Sequence, residues 1–181
     1  MGVAIHRTTV QIHRSVETSD YSEEEFILIE KGRDNSHYQK LVESKVPHKY
    51  WKVVDDHLEE MGPEEKAEVD AAELAACKND RRMALVGSAN AFLQSCYSLE
   101  QQQTISYMMD EAERQGLMER YAYFNQVGVW AMGILMHFYA QTQAIYAATT
   151  IEEVGAVSTD FSKFADTNPD VIIGVGYSIP K

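Results

Sequence analysis

The feature that most constrains this chain is the stretch from Tyr121 to Tyr146, which is apolar nearly all round when wound as a helix. Leu117, Tyr121, Phe124, Gly128, Ala131, Leu135, Phe138 and Thr142 recur at spacings of three and four, while Val127, Trp130, Ile134 and Tyr139 fall on the other faces. That periodicity predicts one helix over residues 117–148. A helix of about thirty residues is about 45 Å long, and one with no polar face must be covered on several sides. A membrane does not supply the cover. The most apolar window, 127–139, is interrupted by His137, and a span needs about twenty apolar residues.

The neighbouring segments set how much cover the chain itself provides. Pro63, followed by Glu64 and Glu65, suits a helix start and predicts a helix over 63–78. Its apolar stripe of Val69, Ala72 and Ala76 is thin. Asn79-Asp80 reads as a fresh cap for a second helix over 81–97, with Met83, Val86, Ala89 or Asn90, and Leu93 inward. Ser98 and Gln101 match a capping box for a third over 99–115, with Ile105, Met108, Met109 and Ala112 inward and Gly116 as its stop. Such narrow stripes cover two sides of the long helix. The remainder predicts contact with other copies of the chain. Tyr121, Phe124, Gly128, Trp130, Ala131, Ile134, Leu135 and Phe138 are the residues expected there, with Gly128 and Gly133 admitting a second backbone. The competing reading is a single bundle that hides the helix alone.

Ahead of Gly62 the pattern is β-like. Residues 3–14 alternate and are rich in β-branched side chains, predicting one strand, on which His6 and His13 face opposite sides. Residues 25–30 predict a short strand and 32–36 a turn. Residues 50–54 and 57–61 predict a hairpin about Asp55-Asp56. Beyond the long helix, Thr150 and Glu153 form another capping box opening a short helix to Val157, one or two helical turns follow in 158–165, and 171–179 predicts a terminal strand. The class expected is α+β: a small N-terminal β module (1–62), a helical bundle with one long central helix (63–166), and a short C-terminal strand (167–181).

Charge and motifs exclude several functions. Twenty-eight acids against sixteen bases give a formal net charge of −12, which repels nucleic acid and anionic lipid alike. Cys77 and Cys96 form no CxxC pair and read as buried free thiols in a reducing compartment. There is no P-loop, HExxH or GxSxG, and Gly174-Val175-Gly176 has no helix after it to receive a pyrophosphate. The acidic pairs are neighbours in sequence and read as solvated faces or caps. His137, inside the apolar stretch, reads as a hydrogen-bonded core or interface histidine. No catalytic residue, metal ligand or cofactor is therefore expected. A small enzyme using Cys96 or His137 in an interhelical pocket is the least favoured alternative.

One region carries a resemblance. Val46-Pro47-His48-Lys49-Tyr50-Trp51-Lys52 followed by Glu60-Met61-Gly62-Pro63-Glu64-Glu65-Lys66 resembles a strand-to-helix stretch of tailed-bacteriophage virion structural proteins of the tail-fibre, head-fibre, baseplate or connector-associated kind. The C-terminal part is similar in order: a Trp- and Tyr-rich helix, a TTIEEV cap, then DFSKF and NPDV. The resemblance implies a non-catalytic homo-oligomer, a trimer with the long helix on its axis, located on the virion, assembled in the host cytoplasm and contacting other virion proteins. The chain is short for a fibre and lacks a glycine-repeat shaft, so it implies an anchoring, collar or connector role ahead of receptor binding. An assembly chaperone absent from the finished particle is the alternative. In the first module, Tyr21, Tyr50, Trp51 and Val53 are the expected docking residues, because aromatic anchors dominate interfaces; the competing reading has Tyr50 and Trp51 covering the inner face of the hairpin.

Overall fold

The computed structural model describes residues 2–30 and 34–169. The fold is α+β, as the patterning predicts: small antiparallel sheets first, helices after. The predicted strand at 171–179 lies outside the described residues. Two compact units divide between Glu73 and Leu74. That point is inside a helix, and not at residue 62, because the first turns of this helix are tied by side chains to the preceding hairpin.

In the first unit, β1 (Gly2–His6) is the centre of a three-stranded antiparallel sheet, between β2 (Ile12–Val16) and β3 (Phe26–Ile29). The single strand predicted over 3–14 is therefore a hairpin. The ring of His6 explains the reversal: its Nδ1 accepts from the backbone N–H groups of Thr8 and Thr9, both at 3.2 Å. Val10 closes the turn at φ 54°, a costly conformation for a β-branched residue, offset by packing of its side chain on the core. His6 and His13 consequently lie on adjacent strands, with His13 opposite Ala4. Helix α1 (Ser36–Glu43) was not foreseen from the sequence. It ends in a Schellman motif. Lys45 takes φ 55°, its N–H bonds to Val42 O at 3.1 Å, and the N–H of Val46 reaches Leu41 O at 3.2 Å.

The predicted hairpin is present as β4 (Trp51–Val54) and β5 (His57–Glu60). Asp55 and Asp56 both have positive φ, as a two-residue turn requires. Ile5, Leu41, Trp51 and Leu58 form the buried centre of this unit.

Helix α2 (Pro63–Cys96) is a single helix of 34 residues, where a break was predicted at Asn79-Asp80. The polar residues there serve other helices instead. In the second unit Lys78 Nζ donates to Tyr146 O at 2.9 Å, at the end of α4 (Met118–Ala147). Arg81 donates through Nε to Val157 O at 2.9 Å and through Nη2 to Gly155 O at 3.1 Å, at the end of α5 (Ile151–Ala156). Cations at the carbonyl ends of helices complete open hydrogen bonds and oppose the helix dipole.

Both predicted capping boxes are present, at Ser98/Gln101 opening α3 (Leu99–Arg114) and at Thr150/Glu153 opening α5. Gly116 closes α3 at φ 70°. A single 3-10 turn, Ser162–Phe164, follows α5. Trp130 Nε1 donates to Phe164 O at 2.9 Å, and Tyr97 donates to the buried Asn168 Oδ1 at 3.1 Å, so the segment after α5 is held to α4 and to the end of α2.

Candidate functional site

The structure sorts the predicted interface residues into two groups. Phe124, Trp130 and Ile134 are buried in the core of the helical unit, with Leu85, Tyr123, Val127 and Ile145. They are core residues and not the free interface the sequence predicts, because their side chains fill their own unit, with Trp130 and Ile134 also flooring the groove beside them. Gly128, Ala131, Leu135 and Phe138, with Val86, Leu93 and Ile105 opposite, line an apolar groove of 430 Å³. Tyr121 is half-buried.

The outward face of α4 is a different stripe. Ala122, Asn125, Val129 and Met132, then Met136, Tyr139, Gln143 and Tyr146, are all exposed. They are spaced alternately three and four residues apart, the a/d spacing of a coiled-coil seam. Exposure of its large side chains is high, from 54 % at Tyr139 to 67 % at Val129. No Asp, Glu, Lys or Arg occurs between Tyr121 and Ala148. The stripe is flanked by the groove on one side. On the other is a depression of 350 Å³ lined by Gln126, Gly133, Phe164 and Thr167. A Cβ added at Gly128 would meet nothing within 4 Å, so the unit's own packing does not call for glycine there.

The signal for this stripe was present in the sequence. The sequence does not single it out, because several stripes of α4 are equally apolar and only the packing of α2, α3 and α5 shows which one is left over.

The four expected docking residues of the first unit are all engaged within it. Trp51 is 1 % exposed. Its Nε1 donates to Val46 O at 3.1 Å, and its ring packs edge-on to Tyr38 and His48. It is a core residue and not a docking anchor. Val53 is half-buried on the same cluster. Tyr21 packs against Phe26 and His13, ring centres 4.9 and 5.4 Å away. Tyr50 donates to Asp70 Oδ1 at 2.7 Å, and Lys49 Nζ reaches Asp70 and Glu73, also at 2.7 Å. This network holds the Lys49 ammonium above the ordinary lysine range, chiefly through Asp70, and the Asp70 carboxyl below its own, chiefly through Lys49. Being exposed, these pairs orient the start of α2 more than they stabilise it.

The residues weighed for chemistry do not converge. Cys96 has Ser95 Oγ at 3.9 Å. His137 lies between Phe161 and Phe164, with Nδ1 3.1 Å from Lys163 Nζ and Nε2 buried without a hydrogen-bond partner among the described residues. Desolvation pushes its pKa below the ordinary histidine value, and the Lys163 charge adds to this. Asp160 opposes both through its backbone and its charge without outweighing them. The imidazole is therefore neutral at pH 7, with Nδ1 as acceptor towards Lys163. Among the described residues no group of three or more His, Cys, Asp or Glu side chains could hold a metal ion, and no helix is long and apolar enough to cross a membrane.

Set against known proteins, the chain matches no family model, no curated protein and no solved structure.

Proposed function

We propose that this chain is a non-catalytic structural subunit of a tailed-bacteriophage particle, self-assembling through its helical unit and anchoring or forming part of a fibre, collar or baseplate. The observation that carries the self-assembly is the exposed, charge-free stripe of α4. A contiguous apolar surface beyond a few hundred Å² on a soluble domain marks an interaction site. The net charge of −12 resides elsewhere, so the chain is kept soluble while this face remains able to associate. The particle is supplied by the resemblance of the Val46–Lys52 and Glu60–Lys66 segments to virion proteins. In this reading the β unit, with its charged exterior, faces other virion proteins.

Two measurements test the proposal. Light scattering of the full chain at micromolar concentration is expected to give an oligomer, and a monomer throughout would overturn self-assembly. Mass spectrometry of particles purified from the phage that encodes the chain is expected to find it in stoichiometric amount. Its presence in infected-cell lysate but absence from particles would replace the structural role with that of an assembly chaperone.

A further inference from the structure

We infer that α4 pairs antiparallel with α4 of a second copy, about a twofold axis at the level of Ile134, midway between Met132 and Met136. The inference rests on the self-assembly proposed above and gives it a partner, a direction and a register. It takes the place of the trimer about the long helix that the resemblance implies.

Side-chain size carries the direction. In the fully overlapped antiparallel register, each a position of the seam faces a d position of the second copy. Ala122 then faces Tyr146, Val129 faces Tyr139, and Met136 faces Met132. Small side chains meet large ones at both ends and flexible ones meet in the middle, which fills layers evenly. A parallel pair in register would place Tyr139 on Tyr139 and Tyr146 on Tyr146 while leaving Ala122 against Ala122. That arrangement crowds one end and leaves a void at the other.

The polar residues fix the register. Asn125 faces Gln143 of the second copy, so two amides with matching donors and acceptors meet. A slip by one heptad in one direction sets Asn125 against Met136 and Gln143 against Met118. In the other it sets Gln143 against Met132 and carries Asn125 past the end of the partner helix, so either way an amide is buried unpaired or loses its partner. A polar residue at a seam position characteristically specifies register in this way.

Charge agrees with the antiparallel direction. The exposed Arg120, just outside the seam, would lie beside the carbonyl end of the partner's α4 at Ala147 and Ala148, where a cation is favoured. In a parallel pair it would lie beside another Arg120. Area agrees as well. The large side chains of the stripe, with Leu135, leave on the order of 700 Å² uncovered, close to the ~800 Å² that each partner contributes to a standard interface. Gly128, in open space at the seam's flank, lets the second backbone approach.

Disulfide trapping in the full chain tests this directly. Val129→Cys and Tyr139→Cys are made separately, both at exposed sites, and oxidised alone and mixed. The wild type, with Cys77 and Cys96, sets the background, and cross-linked peptides are identified by mass spectrometry. A 129–139 cross-link in the mixture, with neither variant joining to itself, is the expected result. The two 129 positions would be about 15 Å apart along the axis. A 129–129 cross-link in Val129→Cys alone would overturn the antiparallel pairing in favour of a parallel seam. An oligomer by light scattering with no seam cross-link would overturn the inference and leave self-assembly standing, whereas a monomer at every concentration would remove both. Met136→Lys gives a second readout: it is expected to weaken association at least about tenfold with the helical circular dichroism of the monomer unchanged. Unchanged association would also overturn the pairing.

Discussion

Trp51 and Tyr139 are both large aromatic side chains, and the two units of this molecule treat them oppositely. The β unit closes around Trp51, edge-on to Tyr38 and His48, and presents the ion pairs of Lys49, Lys52 and Lys66 outside. The helical unit buries Trp130 and Ile134 but leaves Val129, Met132, Met136 and Tyr139 on its surface. The helical unit has the larger buried core, as larger domains do, and yet most of the exposed large apolar side chains among the described residues lie on it. Exposure on α4 therefore coexists with a well-filled core beneath it.

The sharpest way to break this comparison is to truncate both aromatics. Trp51→Ala removes a fully buried ring and its hydrogen bond to Val46, and is expected to cost about 3–5 kcal/mol, enough to unfold the β unit, as urea denaturation followed by circular dichroism would show. Tyr139→Ala is expected to change monomer stability by no more than about 0.5 kcal/mol while weakening association. Were Trp51→Ala to leave the unit folded, the contrast between the two regions would collapse.

A smaller effect concerns how the helical unit is tied together. Arg81→Ala removes the donors from the carbonyl end of α5 and is expected to destabilise that unit by about 1.5–3 kcal/mol. Arg81→Lys should recover part of it, since one ammonium cannot serve the Val157 and Gly155 carbonyls in the same fork geometry. Thermal denaturation of the three proteins checks this.

Helix ends sharpen the comparison further. Both α1 and α3 finish in the same motif, with Leu117 N–H to Ala112 O at 2.8 Å repeating the Val46 to Leu41 bond. In α3 the left-handed position is Gly116, and in α1 it is Lys45. Lys45→Gly is therefore expected to stabilise the β unit by about 0.5–1 kcal/mol, read as a rise in the denaturation midpoint. Gly116→Ala should do the opposite in the helical unit.

The smallest effect is a pH dependence confined to the helical unit. His137 is held neutral when folded, below its ordinary value of 6.5, so below about that pH the unfolded chain binds a proton that the folded chain does not. The stability contributed is intact above pH 6.5 and is lost as pH falls towards the folded value. Melting temperature is expected to drop between pH 7 and pH 5 in the wild type and to drop less in His137→Gln. Asp160 is held below its ordinary 3.8, chiefly by Ser162. Its contribution is present above that range and lost below it, separate from the histidine step.

Much of the fold was legible because its signals are local. The capping boxes at Ser98 and Thr150, the stop at Gly116 and the hairpin about Asp55-Asp56 each depend on residues a few positions apart. The misreadings involved partners distant in sequence. Asn79-Asp80 looked like a break because the polar side chains beside it, Lys78 and Arg81, find their acceptors at Tyr146, Gly155 and Val157. The strand over 3–14 hid a turn that the His6 ring makes possible. Helix α1 has an amphipathic pattern too short to announce itself, and packing of Leu41 beside Trp51 and Leu58 stabilises it.

The sequence by itself determined that α4 would be long and would need cover on several sides, because apolar residues occupy nearly every face of it. Only the tertiary structure decided which faces its own chain covers. Helices α2, α3 and α5 with the Ser162–Phe164 turn bury Phe124, Val127, Trp130 and Ile134, while the stripe from Ala122 to Tyr146 stays exposed. A helical wheel with several equivalent apolar stripes contains no information about which neighbour lies against which. That choice is made by the volumes and hydrogen bonds of residues far away along the chain.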